Sequence, residues 1–437
     1  MAHFKHIFII TLIILTTRCD ILSPDKDKQG IEITPLHIRT QAALLKINID
    51  HGYQGSRLII KRDSSVIISD TIYQKDTTIL DTDLKSSQNY LYTAEITNNN
   101  KPNLYSNSLN ITTMDTTQHP IIEWEIDTLG IPGLSSIRDI KIVSPDNIWA
   151  VGQIIRSDPD SSWNMTGKET FNAAHWNGEK WEVMRIINSA KLYSIWYFGE
   201  NNIWVTDVCS PLQWDGNDWT LYHLQNMGLD VCAGFGIWAS SPDNIYFVGY
   251  EGSIVHYDGS NFEKMESGTT TNLYGIWGID EEHIWACGMD IDSYNSAILS
   301  LEEEGWEIIG KPEQYRKGGS FRSIWTDNPY ILYLNGRSGR AYYEVTQDSI
   351  IYFNDNSGWV GDPIEGLAIN NIFACTRGGS EVLHYNGSTW HIYKEMKKMF
   401  GDFFIIQSLD VTDDMIVAGG YYFLAYNSIP IIIRGYY

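Results

Sequence analysis

The chain has 437 residues, too many for one small domain, and 43% of them are apolar, a share that excludes a polytopic membrane protein and a disordered tail. With 31 Lys and Arg against 54 Asp and Glu the formal net charge is −23, so the chain as a whole repels nucleic acid and anionic lipid. Its 16 Trp, 26 Tyr, 14 Phe and 36 Gly suit aromatic strands joined by tight turns.

Lys5 and His6 precede an apolar run over residues 7–15. A bilayer core takes about 20 apolar residues as a helix, so this run reads as part of a secretory signal over 1–19. Thr16-Thr17-Arg18-Cys19 resembles the lipobox of bacterial lipoproteins, which implies a lipid anchor on Cys19; ordinary signal cleavage is the alternative. An exported protein at the cell envelope or surface is expected, or otherwise a secreted one. Residues 20–30, with Pro24 and the charges of Asp25-Lys26-Asp27-Lys28, read as a solvated tether.

Residues 31–115 read as short strands broken by turns, among them Leu44-Leu45-Lys46-Ile47-Asn48-Ile49 and Leu58-Ile59-Ile60-Lys61. Leu84-Lys85-Ser86-Ser87-Gln88-Asn89-Tyr90 resembles the fibronectin type III element Leu-x-Pro-x-x-x-Tyr, with Ser86 in place of proline. That resemblance implies a sandwich domain with a tyrosine corner at Tyr90, used as a spacer. The polar stretch 114–120 ends in Pro120 and reads as a boundary.

From residue 121 to 437 one pattern recurs. Asp146-Asn147-Ile148-Trp149-Ala150-Val151-Gly152 returns as Asn201-Asn202-Ile203-Trp204-Val205, Asp243-Asn244-Ile245-Tyr246-Phe247-Val248-Gly249 and Glu282-His283-Ile284-Trp285-Ala286-Cys287-Gly288. Weaker copies centre on Leu332, Phe373 and Ile416, giving successive spacings of 55, 42, 39, 47, 41 and 43. Each copy has an apolar strand before it, such as Ile195-Trp196 or Ile276-Trp277, and a strand after it ending in Asn-Gly or Asp-Gly. Those dipeptides predict two-residue hairpins with both residues at positive φ. Three residues past each glycine an aromatic (Trp181, Trp219, Phe262, Trp390) opens an outer strand.

Four strands per repeat at this period predict an all-β chain: a fibronectin type III-like sandwich followed by a seven-bladed β-propeller. The last repeat lacks a fourth strand, and residues 122–126 resemble one, so an N-terminal strand is expected to close the propeller. The repeats resemble those of bacterial surface propellers, distantly like photosystem-assembly-factor and sialidase-type propellers. The sialidase Asp-box is missing, so sialidase chemistry is not implied.

Little in the chain anchors catalysis. Cys287 and Cys375 occupy the repeat position of Val151 and Val248 and read as core. Cys209 and Cys232 fall in connections on one propeller face, where a disulfide is geometrically feasible. His175, His256 and His384 share one repeat position in three different repeats, so they read as structural; no metal and no cofactor is expected. Asp290-Ile291-Asp292 resembles the start of a calcium loop but lacks the required glycine and closing glutamate. No Gly-x-Ser-x-Gly, His-Glu-x-x-His or phosphate-loop pattern occurs.

Loops between second and third strands gather at one propeller mouth, which becomes the candidate ligand surface. It would collect Trp163, Asp290, Asp292, Tyr294, Arg337 and Arg377, with Arg316 and Lys317 from a neighbouring connection. The function expected is non-catalytic binding of an extracellular protein or glycan, with the membrane reached through the lipid anchor only. The alternatives are a polysaccharide hydrolase or lyase, for which Asp158, Asp290 and Asp292 are the candidate carboxylates, and a scaffold for envelope assembly.

Overall fold

The structure, a computed structural model, describes residues 30–437 apart from 50–51, 74, 99, 158–166, 188–190, 291–295, 311–320, 337–338, 354–359 and 377–379. Two compact units divide it. One comprises residues 30–34 with Leu45–Ile79 and Tyr90–Ile111; the other comprises Pro35–Leu44, Leu80–Asn89 and Thr112–Tyr437.

Strands Ile31–Ile38, Ala43–Ile49 and Asp76–Asp81 form a three-stranded sheet. Arg57–Arg62, Ser65–Thr71, Asn89–Asn98, Lys101–Tyr105 and Leu109–Thr112 form a five-stranded one. Strict alternation in Asn89–Asn98 turns Tyr92, Ala94 and Ile96 inward, beside Leu58 and Ile60.

Among the described residues the larger unit holds seven four-stranded antiparallel sheets. Six are built from consecutive strands. The seventh uses Phe404–Val411, Met415–Leu424 and Asn427–Tyr436 and takes Glu123–Thr128 as its outermost strand, with Ile433 opposite Ile126 and Gly435 opposite Trp124. The first strands are Ser136–Ser144, Ser194–Gly199, Gly236–Ser241, Asn272–Gly278, Phe321–Trp325, Val360–Ala368 and Phe404–Val411. Each packs on the next, and the last packs on the first.

Second strands lie between neighbouring sheets and are buried on both faces; every residue of Ile284–Met289 is inside. This explains why the recurring segment is apolar without alternation. The clusters are shared between sheets: Ile140, Ile148 and Ala150 of the first pack with Met415, Val417 and Ile432 of the seventh.

The polar letters of the repeat form a bond of their own. Nε2 of His175, His256 and His384 donates to the side-chain oxygen of Asn147, Asn244 and Asn371 at 2.9, 2.7 and 2.9 Å. Each imidazole also lies on the second-strand aromatic, Trp149, Tyr246 or Phe373, with centroids 4.4–4.6 Å apart. The second sheet has Gln213 at this position, and it donates to Asn202 at 3.2 Å.

The hairpin turns differ from the two-residue form. Trp176 pairs with Trp181, leaving a four-residue loop in which only Gly178 takes positive φ (89°). The Asn177 side-chain oxygen instead accepts the amides of Glu179 and Lys180, and Asp215 and Asp258 do the same in the next two sheets. The Asn or Asp is selected as a side-chain acceptor rather than for left-handed backbone.

Candidate binding site at the channel mouth

The seven first strands enclose a channel of about 380 Å³. Its lining follows a register set by one buried aliphatic residue per strand: Ile140, Ile195, Ile237, Ile276, Ile324, Ile364 and Leu409.

Two residues before this reference stand Arg138, Tyr193, Phe235, Tyr274, Arg322 and Gln407, all on the channel wall. At Arg138, Tyr274, Arg322 and Gln407 the ladder skips one residue, so each lies in a β-bulge. A bulge re-aims the unpaired side chain, and here four side chains turn into one opening.

These residues form a contiguous arc. Phe235 stacks on Tyr274 with centroids 4.9 Å apart and 13° between planes, and meets Tyr193 and Tyr250 at 5.5 and 4.4 Å. Cations sit on the tyrosine faces. Arg138 and Lys191 lie 5.6 and 5.3 Å from the Tyr193 centroid, and Arg322 lies 4.6 Å from that of Tyr274. Burial, and then the charge of Arg138, push the Lys191 ammonium down to about 8.

One residue after the reference stand Trp196, Trp238, Trp277 and Trp325, but Lys141, Glu365 and Asp410 in the first, sixth and seventh sheets. Three adjacent sheets thus replace tryptophan by charge. Asp139 joins them. Its carboxylate accepts the Ser194 hydroxyl at 2.8 Å and the amides of Ile195 and Ile140 at 2.9 Å. Burial pushes Asp139 up to about 6 despite those bonds, and burial followed by the charge of Asp410 pushes Glu365 well above the usual carboxylate range. Burial alone would lower Lys141, but Asp410, 3.2 Å from its nitrogen, and Glu365 hold it above its ordinary value.

The channel wall is built from first strands and their approaches, and the loop candidates fall almost wholly outside the described residues. Trp163, Asp292, Tyr294, Arg316, Lys317, Arg337 and Arg377 lie outside the described residues, as do Asp158 and Cys19. Asp290 is half-buried after the second strand of the fourth sheet and does not line the channel. Among the described residues the carboxylates lining the channel are Asp139, Glu365 and Asp410. A signal for the arc did exist: each member sits two residues before the aliphatic reference of its first strand.

Cys209 and Cys232 form a disulfide with an S–S distance of 2.00 Å. Cys287 and Cys375 are buried thiols, and burial pushes that of Cys287 far up. His384 is separate from His175 and His256. Among the described residues no group of three or more His, Cys, Asp and Glu side chains is placed to hold a metal ion.

Comparison with solved structures bears on this architecture. YCF48 bound to D1 peptide superposes with a TM-score of 0.52 at 14% identity, over 72% of this chain and 95% of that one. YCF48 from Cyanidioschyzon merolae gives 0.51 at 13%, over 71% and 98%. The fold is propeller-like. Among curated proteins, the Immune protein Tsi7 of Pseudomonas aeruginosa is 30% identical over 87 residues. That match covers 20% of this chain, which spans only a quarter of the length of this relative. No family model matches the chain.

Proposed function

We propose that this chain is an exported, lipid-anchored binding protein without catalytic activity, holding an extracellular protein or glycan at the channel mouth. In this reading residues 1–19 are the signal ending at the acylated Cys19, 20–30 the tether, 31–115 a fibronectin type III-like spacer, and 121–437 a seven-bladed ring. Strand Glu123–Thr128 closes that ring. One observation carries the reading: an aromatic arc with cations on its ring faces, in which bulges turn Arg138, Tyr274 and Arg322 into a single opening of a chain whose net charge is −23. Exposed aromatic area beside guanidinium groups is the composition of binding hot spots. YCF48, of similar fold, is known bound to a peptide, which is compatible with a protein ligand.

The test is a glycan array and an envelope pulldown with the parent chain and with Phe235→Ala. Capture of a defined ligand by the parent, lost in the variant at unchanged stability, supports the mouth. Equal capture by both removes it.

A second reading, a polysaccharide hydrolase or lyase, rests on Asp139 and Glu365, two carboxyls that burial raises above their ordinary range along one channel. It requires product formation that Glu365→Gln abolishes.

A further inference from the structure

Residues 115–120, which lead into Glu123–Thr128, lie along the sixth sheet of the larger unit and are bonded to it at several points. The Asp115 carbonyl accepts the side-chain amide of Asn370 at 2.9 Å, and the Thr117 amide donates to the carbonyl of Asn386 at 3.2 Å. The Thr117 hydroxyl donates to the Asn370 carbonyl, and the Tyr393 hydroxyl donates to that of Pro120 at 2.8 Å. Between these contacts stands His119, whose Nδ1 lies 2.8 Å from Nδ1 of His384.

Proton positions at this contact follow from its partners. Nε2 of His384 gives its proton to the Asn371 oxygen, so neutral His384 offers a lone pair at Nδ1, and His119 donates from its own Nδ1. One added proton can be shared along that line. A second leaves two N–H groups pointing at each other.

The outer strand decides how such protons are received. Across the strand pair His175 faces Glu182 and His256 faces Glu263, and each carboxylate favours the charged imidazole. His384 faces His391 instead, and the His391 ring lies 5.0 Å from that of His119 as well. Of the three repeat histidines, the one that meets the segment has its acid exchanged for a third imidazole.

Burial, then His119 and His391, push His384 down to about 4, and burial followed by His391 lowers His119. The other ionisable groups on the packed elements are Tyr393, Lys394 and Glu395 at the end of the outer strand, Tyr437 stacked on Phe373 with Asp413 and Asp414 beside it, and Asp115 on the segment itself. Beside burial, it is imidazoles that act on His384 and His119. Docked, the trio therefore holds fewer protons than free imidazoles of ordinary value about 6.5, and acid favours the undocked segment as pH falls from there towards 4.

We propose that residues 115–120 form an acid-released strap, bound along the sixth sheet near neutral pH and freed from it when His119, His384 and His391 gain protons together. Release lengthens the unbound chain between Leu109–Thr112 and Glu123–Thr128, while the seventh sheet keeps its outer strand. The strap goes beyond the ligand reading above and does not depend on it.

The experiment is hydrogen exchange of the full chain at about pH 7.5 and about pH 5, read by mass spectrometry with labelling times scaled to the intrinsic rate. Protection in the peptide containing Thr117 falls by about tenfold or more on acidification, while peptides from Asn371–Thr376 and Glu123–Thr128 keep theirs. In His119→Gln/His384→Gln, whose amide side chains hydrogen-bond without titrating, the Thr117 peptide stays protected at both values. Should the double variant fold poorly, His391→Gln, at an exposed side chain, moves the loss to lower pH by removing one repelling charge, and an unmoved midpoint there overturns the proposal. Unchanged protection of the parent at about pH 5 overturns it too. So does a loss that the double variant shares, which places the response outside the imidazoles. A simultaneous loss in all three peptides also overturns it, because that is unfolding of the larger unit and not release of a strap.

Discussion

Oδ2 of Asp410 accepts the backbone amide of Ile142 at 2.6 Å, from the last sheet to the first. Elsewhere the same step is made by tryptophan: Trp238 donates its indole N–H to the carbonyl of Gly278 at 2.9 Å, and Trp277 to that of Thr326 at 2.7 Å. Each residue stands one place past the aliphatic reference and reaches the second place past it in the next sheet. The partner's size follows. Under tryptophan lie Gly278, Thr326 and Gly366, while beyond the smaller Asp410 lies Ile142.

Asp410→Ala leaves the buried Ile142 amide and the Lys141 ammonium without their acceptor. A loss of about 1–3 kcal/mol is expected, with Asp410→Asn retaining part of it. Urea unfolding midpoints measure the difference; an Ala variant as stable as the parent removes the role given to this bond.

Gly278→Ala tests the packing side of the same rule. A Cβ there would sit 2.6 Å from the Trp238 ring, which is fixed by its own hydrogen bond. Overpacking of this kind costs about 1–3 kcal/mol, and Trp238→Phe in the same chain should restore part of it. Thermal melts of the two single variants and the double give the coupling, and strict additivity would contradict the contact.

Arg434 fastens the strand that enters the last sheet from the other end of the unit. Its guanidinium meets Asp127 at 2.7 Å and Glu125 at 2.9 Å and lies 3.8 Å from the Trp176 centroid of the first sheet. Arg434→Met should cost about 3 kcal/mol, because Asp127 is left poorly solvated and the stacking is lost. Hydrogen exchange should accelerate first in Glu123–Thr128; uniform acceleration would mean that the arginine does not act on that strand.

Two buried groups set opposite pH limbs. Burial, with His119 and His391 beside it, pushes His384 down to about 4 from 6.5, so its contribution is present above 6.5 and is lost as pH falls towards 4. Asp139, pushed up to about 6 from 3.8, contributes below 3.8, and that contribution is lost as pH rises through 6. His384→Gln, which copies Gln213 and keeps a donor for Asn371, should flatten the acid limb. Asp139→Asn should flatten the limb between 4 and 6. Denaturant midpoints across pH 4 to 8 decide, and unchanged slopes in both variants would refute the assignment.

The Cys209–Cys232 bond closes a loop with a sequence separation of 23. Removing it with Cys232→Ser should lower stability by roughly 3 kcal/mol. A midpoint equal to that of the parent would show that the loop is held by its packing alone.

Much of the architecture is legible in the chain. Asn-Ile-aromatic segments recur because each second strand is packed from both sides, and His175, His256 and His384 recur with Asn147, Asn244 and Asn371 because one imidazole bridges two strands. The match of residues 122–126 to an outer strand is legible too, since the seventh repeat is one strand short and an unpaired edge is costly. The turn chemistry is only half legible: Asn177-Gly178 announces a turn, but whether the asparagine supplies its backbone or its side chain depends on loop length, and pairing fixes that length.

Tertiary structure alone decides the channel. Arg138, Tyr193, Phe235, Tyr274 and Arg322 are spread over nearly 200 residues; their shared spacing from an aliphatic residue can be read along the chain, but that they meet at one opening cannot. Likewise Asp139, Lys141, Glu365 and Asp410 look like ordinary surface charges along the chain. The titrations of Asp139, Lys141 and Glu365 shift only because the first strands come together along the channel, where burial removes the water that would otherwise screen their neighbours.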